Sequence, residues 1–301
     1  MAESIDGVII VAKEPGPTSH DVVGLIRRLS GARRVGHGGT LDPFAAGVLP
    51  VFLGHATRLV EYHTADEKEY RALVAFGARS TTDDIEGELT IGDAPAPTRD
   101  SVEAALPGFR GQIDQVPPDY SAVRVAGRHA YELARHGRKP ELRPRTVVIS
   151  RLELVGWDDS ATDRPTATLE LRCTAGTYVR ALARDLGESL GSGAYLAALT
   201  RTASGAFRLE QAHSLDGVRS ALSEGRLDKV MLPPTTGLDE LPRLTVEPSD
   251  LRALTKGQPI AAPEGVRAGP VLLLDGKGSL AAVARQRDGK LEPEKVFVGP
   301  A

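Results

Sequence analysis

Asp42 occupies a position that a fold seldom gives to a carboxylate. Gly36, Gly38 and Gly39 precede it in the stretch GHGGTLDPFAAGVLP, and an apolar run from Phe44 to Leu53 follows. Glycine permits positive φ and close approach of backbone to a ligand, while Pro43 biases Asp42 toward an extended conformation and lacks an N–H. The chain thus presents one acid on a rigid loop. A carboxylate beside apolar side chains is either neutralised by a raised pKa or matched by a cation. Kept ionised, it can attack an electrophilic carbon or stabilise developing positive charge, and acids perturbed in this way cluster at functional sites. As an Asp-Pro pair alone, the same residues read equally well as a turn.

The elements around this loop follow from periodicity. Gly7 to Ala12 reads as a buried strand ended by Pro15-Gly16. Ser19 offers an N-cap for a helix whose Val22, Leu25, Ile26 and Leu29 fall on one face, and Gly31 closes it. Val48 to Leu53 is an apolar segment. Glu69 to Phe76 is a strand with Tyr70, Ala72, Val74 and Phe76 on one face, and Asp83, Asp84, Glu86 and Gly87 read as the turn beyond it. Thr98 caps a short helix through Leu106. After Pro117-Pro118 comes a basic segment with a short helix near His129 to His136. Strands Thr146 to Gly156 and Thr166 to Cys173 lead into a helix opened by GTYVR. Its core stripe is Val179, Leu182, Ala183, Leu186 and Leu190, so Tyr178 and Arg180 lie off the stripe and can face a cleft at the helix N-terminus. A Pro-, Thr- and Asp-rich stretch from Leu232 to Leu244 reads as a boundary, and short apolar strands such as Val271 to Leu274 alternate with turns beyond it.

The loop resembles the signature of the pseudouridine synthases, and within them the tRNA pseudouridine-55 synthases of the TruB family. His37, Gly39, Leu41, Asp42, Pro43, Ala45, Gly47, Leu49 and Pro50 all stand in register with that signature. The resemblance continues through VIIVAKEP (Val8 to Pro15), KEYR (Lys68 to Arg71), PPDYSA (Pro117 to Ala122), GTYVR (Gly176 to Arg180) and DLGESLGSG (Asp185 to Gly193), covering most of the first 240 residues. It implies an α+β fold: a mixed, mainly antiparallel sheet core of the pseudouridine-synthase type flanked by helices, with a small β-rich, PUA-like C-terminal domain. The catalytic domain is expected over residues 1–240, with a basic RNA-binding arm at about 123–150, and the PUA-like domain over 241–301.

Composition sets the outer limits. At 301 residues, one large and one smaller domain are expected. The single cysteine, Cys173, excludes an intramolecular disulfide and multi-thiolate metal cages, and the seven histidines form no HExxH pair. The DGKGS at Asp275 to Ser279 lacks phosphate-loop spacing and reads as a hairpin turn. No metal or cofactor is expected. The N-terminus shows no basic-then-apolar leader and no run approaches a membrane span, so a cytoplasmic protein without membrane contact is expected.

The net charge of −3 argues superficially against RNA. Its distribution argues for it. Between Arg124 and Arg151, eight Lys or Arg stand against Glu132 and Glu141, so this segment carries +6 and the remainder −9. Arg124, Arg128, Arg138, Lys139 and Arg143 are the expected backbone contacts. A second cluster, Arg27, Arg28, Arg33 and Arg34, leads into the glycine loop. The plainer reading of such runs is a solvated face.

The resemblance implies conversion of uridine 55 in the tRNA T loop to pseudouridine, with Asp42 as the catalytic aspartate and Arg180 keeping it ionised. A uracil stacked in folded RNA must first be flipped, at a cost of a few kcal/mol that one aromatic stack offsets by about 1–3 kcal/mol. By the same resemblance Tyr70 stacks on the base, His37 occupies or supports the vacated space, and Tyr178 and Leu199 line the pocket. The partner is the T-arm stem-loop, the protein a monomer, and a secondary role in tRNA folding is implied. Ser121 and Ala122 receive no chemical role. Attack by Asp42 on sugar and on base both remain open. So do two other classes: an RNA-binding or chaperone module that uses the loop as scaffold, and a carboxylate hydrolase of glycosides or nucleosides. The latter needs a second acid as proton donor, and none stands out in the chain.

Overall fold

The computed structural model describes residues 5–63, 67–125 and 127–297. Ala126 of the expected arm, Val298 at the end of the expected C-terminal unit, and the extreme termini lie outside them. The fold is α+β. A large, mainly antiparallel sheet runs in the order His213–Ser214, Gly7–Lys13, Ala46–Leu53, Ala194–Ser204, Lys68–Phe76, Thr166–Cys173, Arg145–Asp158 and Gly111–Gln115. Two contacts in it are parallel: Gly7–Lys13 with His213–Ser214, and Ala46–Leu53 with Ala194–Ser204.

The strand Ala46–Leu53 explains why VLPVFL is apolar without alternation. Leu49, Val51 and Leu53 face the main core, while Val48 and Phe52 face a second cluster with Val8, Ile10 and Phe207. A strand covered on both faces has no reason to place a polar residue on either. Each such side chain contributes about 1.5–3 kcal/mol by burial. Gly47 in the same strand has φ +114°, and a Cβ there would meet the Arg201 carbonyl oxygen at 2.2 Å. This glycine lets two strands approach next to the Asp42 loop.

Of the helices that pack into the main core, two bear on the site. The first, α1 (Ser19–Ser30), buries Val22, Val23 and Ile26 and ends at Gly31, whose φ of 68° is the left-handed cap expected from sequence. Its N-cap is Thr18, not Ser19. Thr18 Oγ1 accepts from the Asp21 N–H at 3.0 Å, and the Asp21 carboxylate accepts from the Thr18 N–H at 2.9 Å, which makes a capping box. Ser19 is instead buried and tied to Leu41: its Oγ accepts from the Leu41 N–H at 2.8 Å and donates to the Leu41 carbonyl at 3.1 Å. The second, α2 (Val179–Ser189), buries Val179, Leu182, Ala183 and Leu186 of the stripe read from the sequence, while Leu190 is its half-buried C-cap residue.

Lys68–Phe76 buries Ala72, Val74 and Phe76, with Tyr70 packed against the same core. Thr98 caps the helix Arg99–Ala105. The basic arm holds a short hairpin, Arg124–Val125 with Arg128–His129, and then the helix Ala130–Arg135.

Beyond residue 242 a separate five-stranded sheet forms in the order Arg243–Thr245, Gly269–Leu274, Leu280–Arg287, Lys290–Val296 and Ile260–Ala261. The helix Pro248–Thr255 closes its own core of Leu254, Val271, Leu273 and Ala282. The other face brings Leu272 and Val283 against Leu59 and Leu238. DGKGS is a turn in which Asp275 Oδ1 accepts from the N–H groups of Lys277 and Ser279. Among the described residues no helix is long and apolar enough to cross a membrane.

Candidate active site

Asp42 lies on the loop between Val35–His37 and Ala46–Leu53, and three side chains hold that loop by its backbone. Ser19 grips Leu41. Arg201, 1% exposed, donates from Nη2 to the Gly39 carbonyl at 3.1 Å, from Nη1 to the Thr40 carbonyl at 3.2 Å and from Nε to the Val48 carbonyl at 2.8 Å. Lys13, equally buried, donates from Nζ to the carbonyls of Ala45 at 2.6 Å and Pro43 at 3.1 Å. Carbonyl groups of a buried loop need donors, and two cations from distant strands supply them. Burial pushes the Lys13 ammonium below its ordinary value with help from Arg201, and Asp42 and Glu86 pull it back.

The Asp42 carboxylate meets Arg180. Nε stands 3.0 Å from Oδ2, a close ion contact not aligned as a hydrogen bond, and Nη2 donates to Oδ1 at 3.4 Å. Arg180 is 5% exposed, near the start of α2. Its Nη1 also lies 3.2 Å from Asp84 Oδ2 and donates to the Thr82 carbonyl at 3.1 Å, while Nη2 donates to the Tyr120 carbonyl at 3.0 Å. One guanidinium therefore joins two carboxylates and the root of the basic arm.

Asp84, 3% exposed, is the residue that sequence reasoning missed most plainly. It was expected in an ordinary turn. Instead it accepts from Thr82 Oγ1 at 2.5 Å and the Glu86 N–H at 3.0 Å while facing Arg180. Asp42 keeps 35% of its side-chain surface open, so the charged group is accessible at the edge of the apolar core. Burial raises its pKa above the usual carboxylate range, with Asp84 adding to the rise; Arg180 opposes it most strongly, and Lys13 assists.

The other expected pocket residues lie on the strands Lys68–Phe76 and Ala194–Ser204, at the start of α2 and at the start of the loop. Tyr70 lies opposite Arg201 and Leu199 opposite Ala72 in adjacent antiparallel strands, so Tyr70 and Leu199 are diagonal neighbours on one face. Burial lifts the Tyr70 pKa, and the nearby Arg201 charge opposes the rise. Leu199 is buried in the main core. Tyr178 is the N-cap residue of α2, and its N–H donates to Gln115 Oε1 at 2.8 Å. His37 begins the loop; its Nδ1 accepts from the Gly39 N–H at 3.3 Å, and burial, Arg201 and His20 all lower its pKa, which favours the neutral ring.

Arg124, Arg128, Arg138, Lys139 and Arg143 are exposed, and none has an acidic partner among the described residues. Ser121 is buried beside the arm root. Among the described residues no group of three His, Cys, Asp or Glu side chains is placed to hold a metal ion. The arrangement supplies one accessible carboxylate clamped by a buried guanidinium that also holds the root of the basic arm through the Tyr120 carbonyl.

Comparisons with known proteins identify relatives of the whole chain. Residues 27–179 match the profile of the TruB family pseudouridylate synthase (N terminal domain), and residues 180–239 that of the tRNA pseudouridylate synthase B C-terminal domain. The tRNA pseudouridine synthase B of Symbiobacterium thermophilum is 48% identical over 81% of this chain and 80% of its own length; that of Dehalococcoides mccartyi (strain 195) is 39% identical over 98% of each. Among solved structures, an H/ACA RNP bound to a substrate RNA containing 2′-deoxyuridine superposes with a TM-score of 0.71 at 28% identity, covering 97% of this chain and 85% of that one. A Cbf5-Nop10-Gar1 complex gives a TM-score of 0.72 at the same identity and coverage. The chain belongs to the TruB family of pseudouridylate synthases.

Proposed function

We propose that the protein converts uridine 55 in the T loop of tRNA to pseudouridine, with Asp42 as the reacting carboxylate and no cofactor. The reaction breaks the bond from C1′ to N1, turns the released uracil and forms a bond from C1′ to C5. The C5 proton leaves and N1 ends protonated, so atoms balance without oxidant or energy source. A carboxylate kept anionic by Arg180 serves either as nucleophile or as counter-charge to a sugar cation. Tyr70 stacks on the everted uracil, Tyr178 and Leu199 bound its pocket, and His37 supports the space the base leaves. The arm cations Arg124, Arg128, Arg138, Lys139 and Arg143 hold T-arm phosphates. Residues 1–240 form the catalytic unit and 241–301 a PUA-like RNA-binding unit, in a cytoplasmic monomer.

One observation carries this reading: the one carboxylate of the glycine loop is clamped by a buried arginine yet remains accessible. Purified protein incubated with T-arm RNA should place pseudouridine at position 55, mapped by chemical labelling. Asp42→Asn should abolish product while RNA affinity is retained. Product at full rate from Asp42→Asn removes the catalytic assignment; free uracil in place of pseudouridine would identify a hydrolase.

A further inference from the structure

One turn beyond Arg180, a second arginine of α2 makes the same kind of span. Arg184 donates from Nη1 to Asp83 Oδ2 at 2.8 Å and from Nη2 to the Val116 carbonyl at 2.8 Å, while Nε bonds Asp185 Oδ1 at 2.8 Å. Arg180 joins Thr82 and Asp84 to Tyr120. Residues four apart share a helix face. The two guanidinium groups are therefore parallel rungs between the same two stretches, 82–84 and 116–120.

Both stretches depend on side-chain help. Pro117 and Pro118 have no N–H to give, so this stretch is held through its carbonyls, and the arginines take those of Val116 and Tyr120. Asp83 has φ +62°, one of two positive values outside glycine among the described residues, and its carbonyl accepts from the Leu196 N–H at 3.0 Å. A left-handed aspartate is tolerated but must be held. Its carboxylate, largely buried, rests on Arg184. The turn that presents Asp84 to Arg180 is thus fixed from one side by a strand and from the other by Arg184.

We infer that Arg184 is a positioning residue of the reaction: by fixing the 82–84 turn and the Val116 carbonyl, it sets the reach over which Arg180 holds Asp84 and Asp42 together. Its contacts are with Asp83, Asp185 and the Val116 carbonyl, not with Asp42. The inference rests on Asp42 as the reacting group.

The test compares wild type, Arg184→Ala, Arg184→Gln and Arg184→Lys by single-turnover pseudouridine formation on T-arm RNA, by RNA affinity, and by hydrogen exchange of the Arg180 Nε–H without RNA. Arg184→Ala should slow the chemical step about 10- to 100-fold, the scale of a small misplacement, while Kd moves by less than about twofold. Arg184→Lys should recover part of the rate, because an ammonium can keep one of the contacts. Arg180 Nε–H exchange should quicken in Arg184→Ala. A rate within about twofold of wild type, or a rate loss matched by lost affinity, overturns the role. If Arg184→Ala does not fold, Arg184→Gln must show the same slowed step and quickened exchange, and wild-type behaviour there overturns it. Should wild type itself yield no pseudouridine, the proposed function fails, and unchanged exchange at Arg180 then decides against Arg184 independently.

Discussion

Arg180 carries more of the site than any other side chain, because its fork ends on Asp42, Asp84 and two carbonyls. Its removal leaves the buried Asp84 and the half-open Asp42 without their guanidinium partner. Burial already lifts Asp42 above its ordinary pKa and Arg180 pulls it down, so Arg180→Met should raise it further. A rate that requires ionised Asp42 falls as pH drops through that raised value. The acid limb of the pH–rate profile should therefore lie at higher pH in Arg180→Met than in wild type, on a lower plateau. A limb at the wild-type position would assign the titration to another group. Much at this scale was legible: the motif fixed Asp42, and GTYVR placed Arg180 off the core stripe. Asp84, Lys13 and Arg201 were not recovered, since their partners lie tens of residues away in sequence. Arg201 nevertheless left a trace, for it shares the inward phase of Leu199 and Ala203 in its strand. A cation in an apolar register needs buried acceptors, and the loop carbonyls provide them.

Among the elements, boundaries went astray where two residues of similar chemistry stand together. Thr18 and Ser19 both suit an N-cap, and the three-residue spacing from Thr18 to Asp21 decides for Thr18. Ser19, released from capping, becomes a loop anchor. The arm's cations face outward with no acidic partners among the described residues, and the Tyr120 and Val116 carbonyls at its root are held from α2. Replacing Arg138, Lys139 and Arg143 together with Ala should weaken tRNA binding and reduce the slope of log K against log salt by about 2–3, since fewer counterions are released. Affinity titrations across salt concentrations read this directly. An unaltered slope would take the arm out of the RNA interface.

For the molecule as a whole, the two sheets are joined at the short helix Gly54–Tyr62, which follows the loop-bearing strand. Arg58 donates from Nη1 to the Val296 carbonyl at 2.7 Å and covers the Phe297 ring at 5.1 Å, while Lys295 reaches Glu61 and the Arg58 carbonyl. These contacts frame the apolar seam of Leu59, Leu238, Leu272 and Val283. Arg58→Ala with Lys295→Ala should loosen the seam, and calorimetry should resolve two transitions where wild type shows one. A single transition in the double variant would show that apolar contacts alone couple the units. The sequence marked this boundary by its Pro- and Thr-rich stretch, but pattern alone could not show the seam, which arises where two separately formed sheets meet.

The hold on Asp42 by Arg180, and on its loop by Arg201, has a consequence for synthesis. Both cations emerge from the ribosome long after the loop they fasten. A growing polypeptide that has not passed residue 180 carries Asp42 without its guanidinium partner, and until residue 201 is made the loop carbonyls lack their donor. The site is therefore completed late in translation.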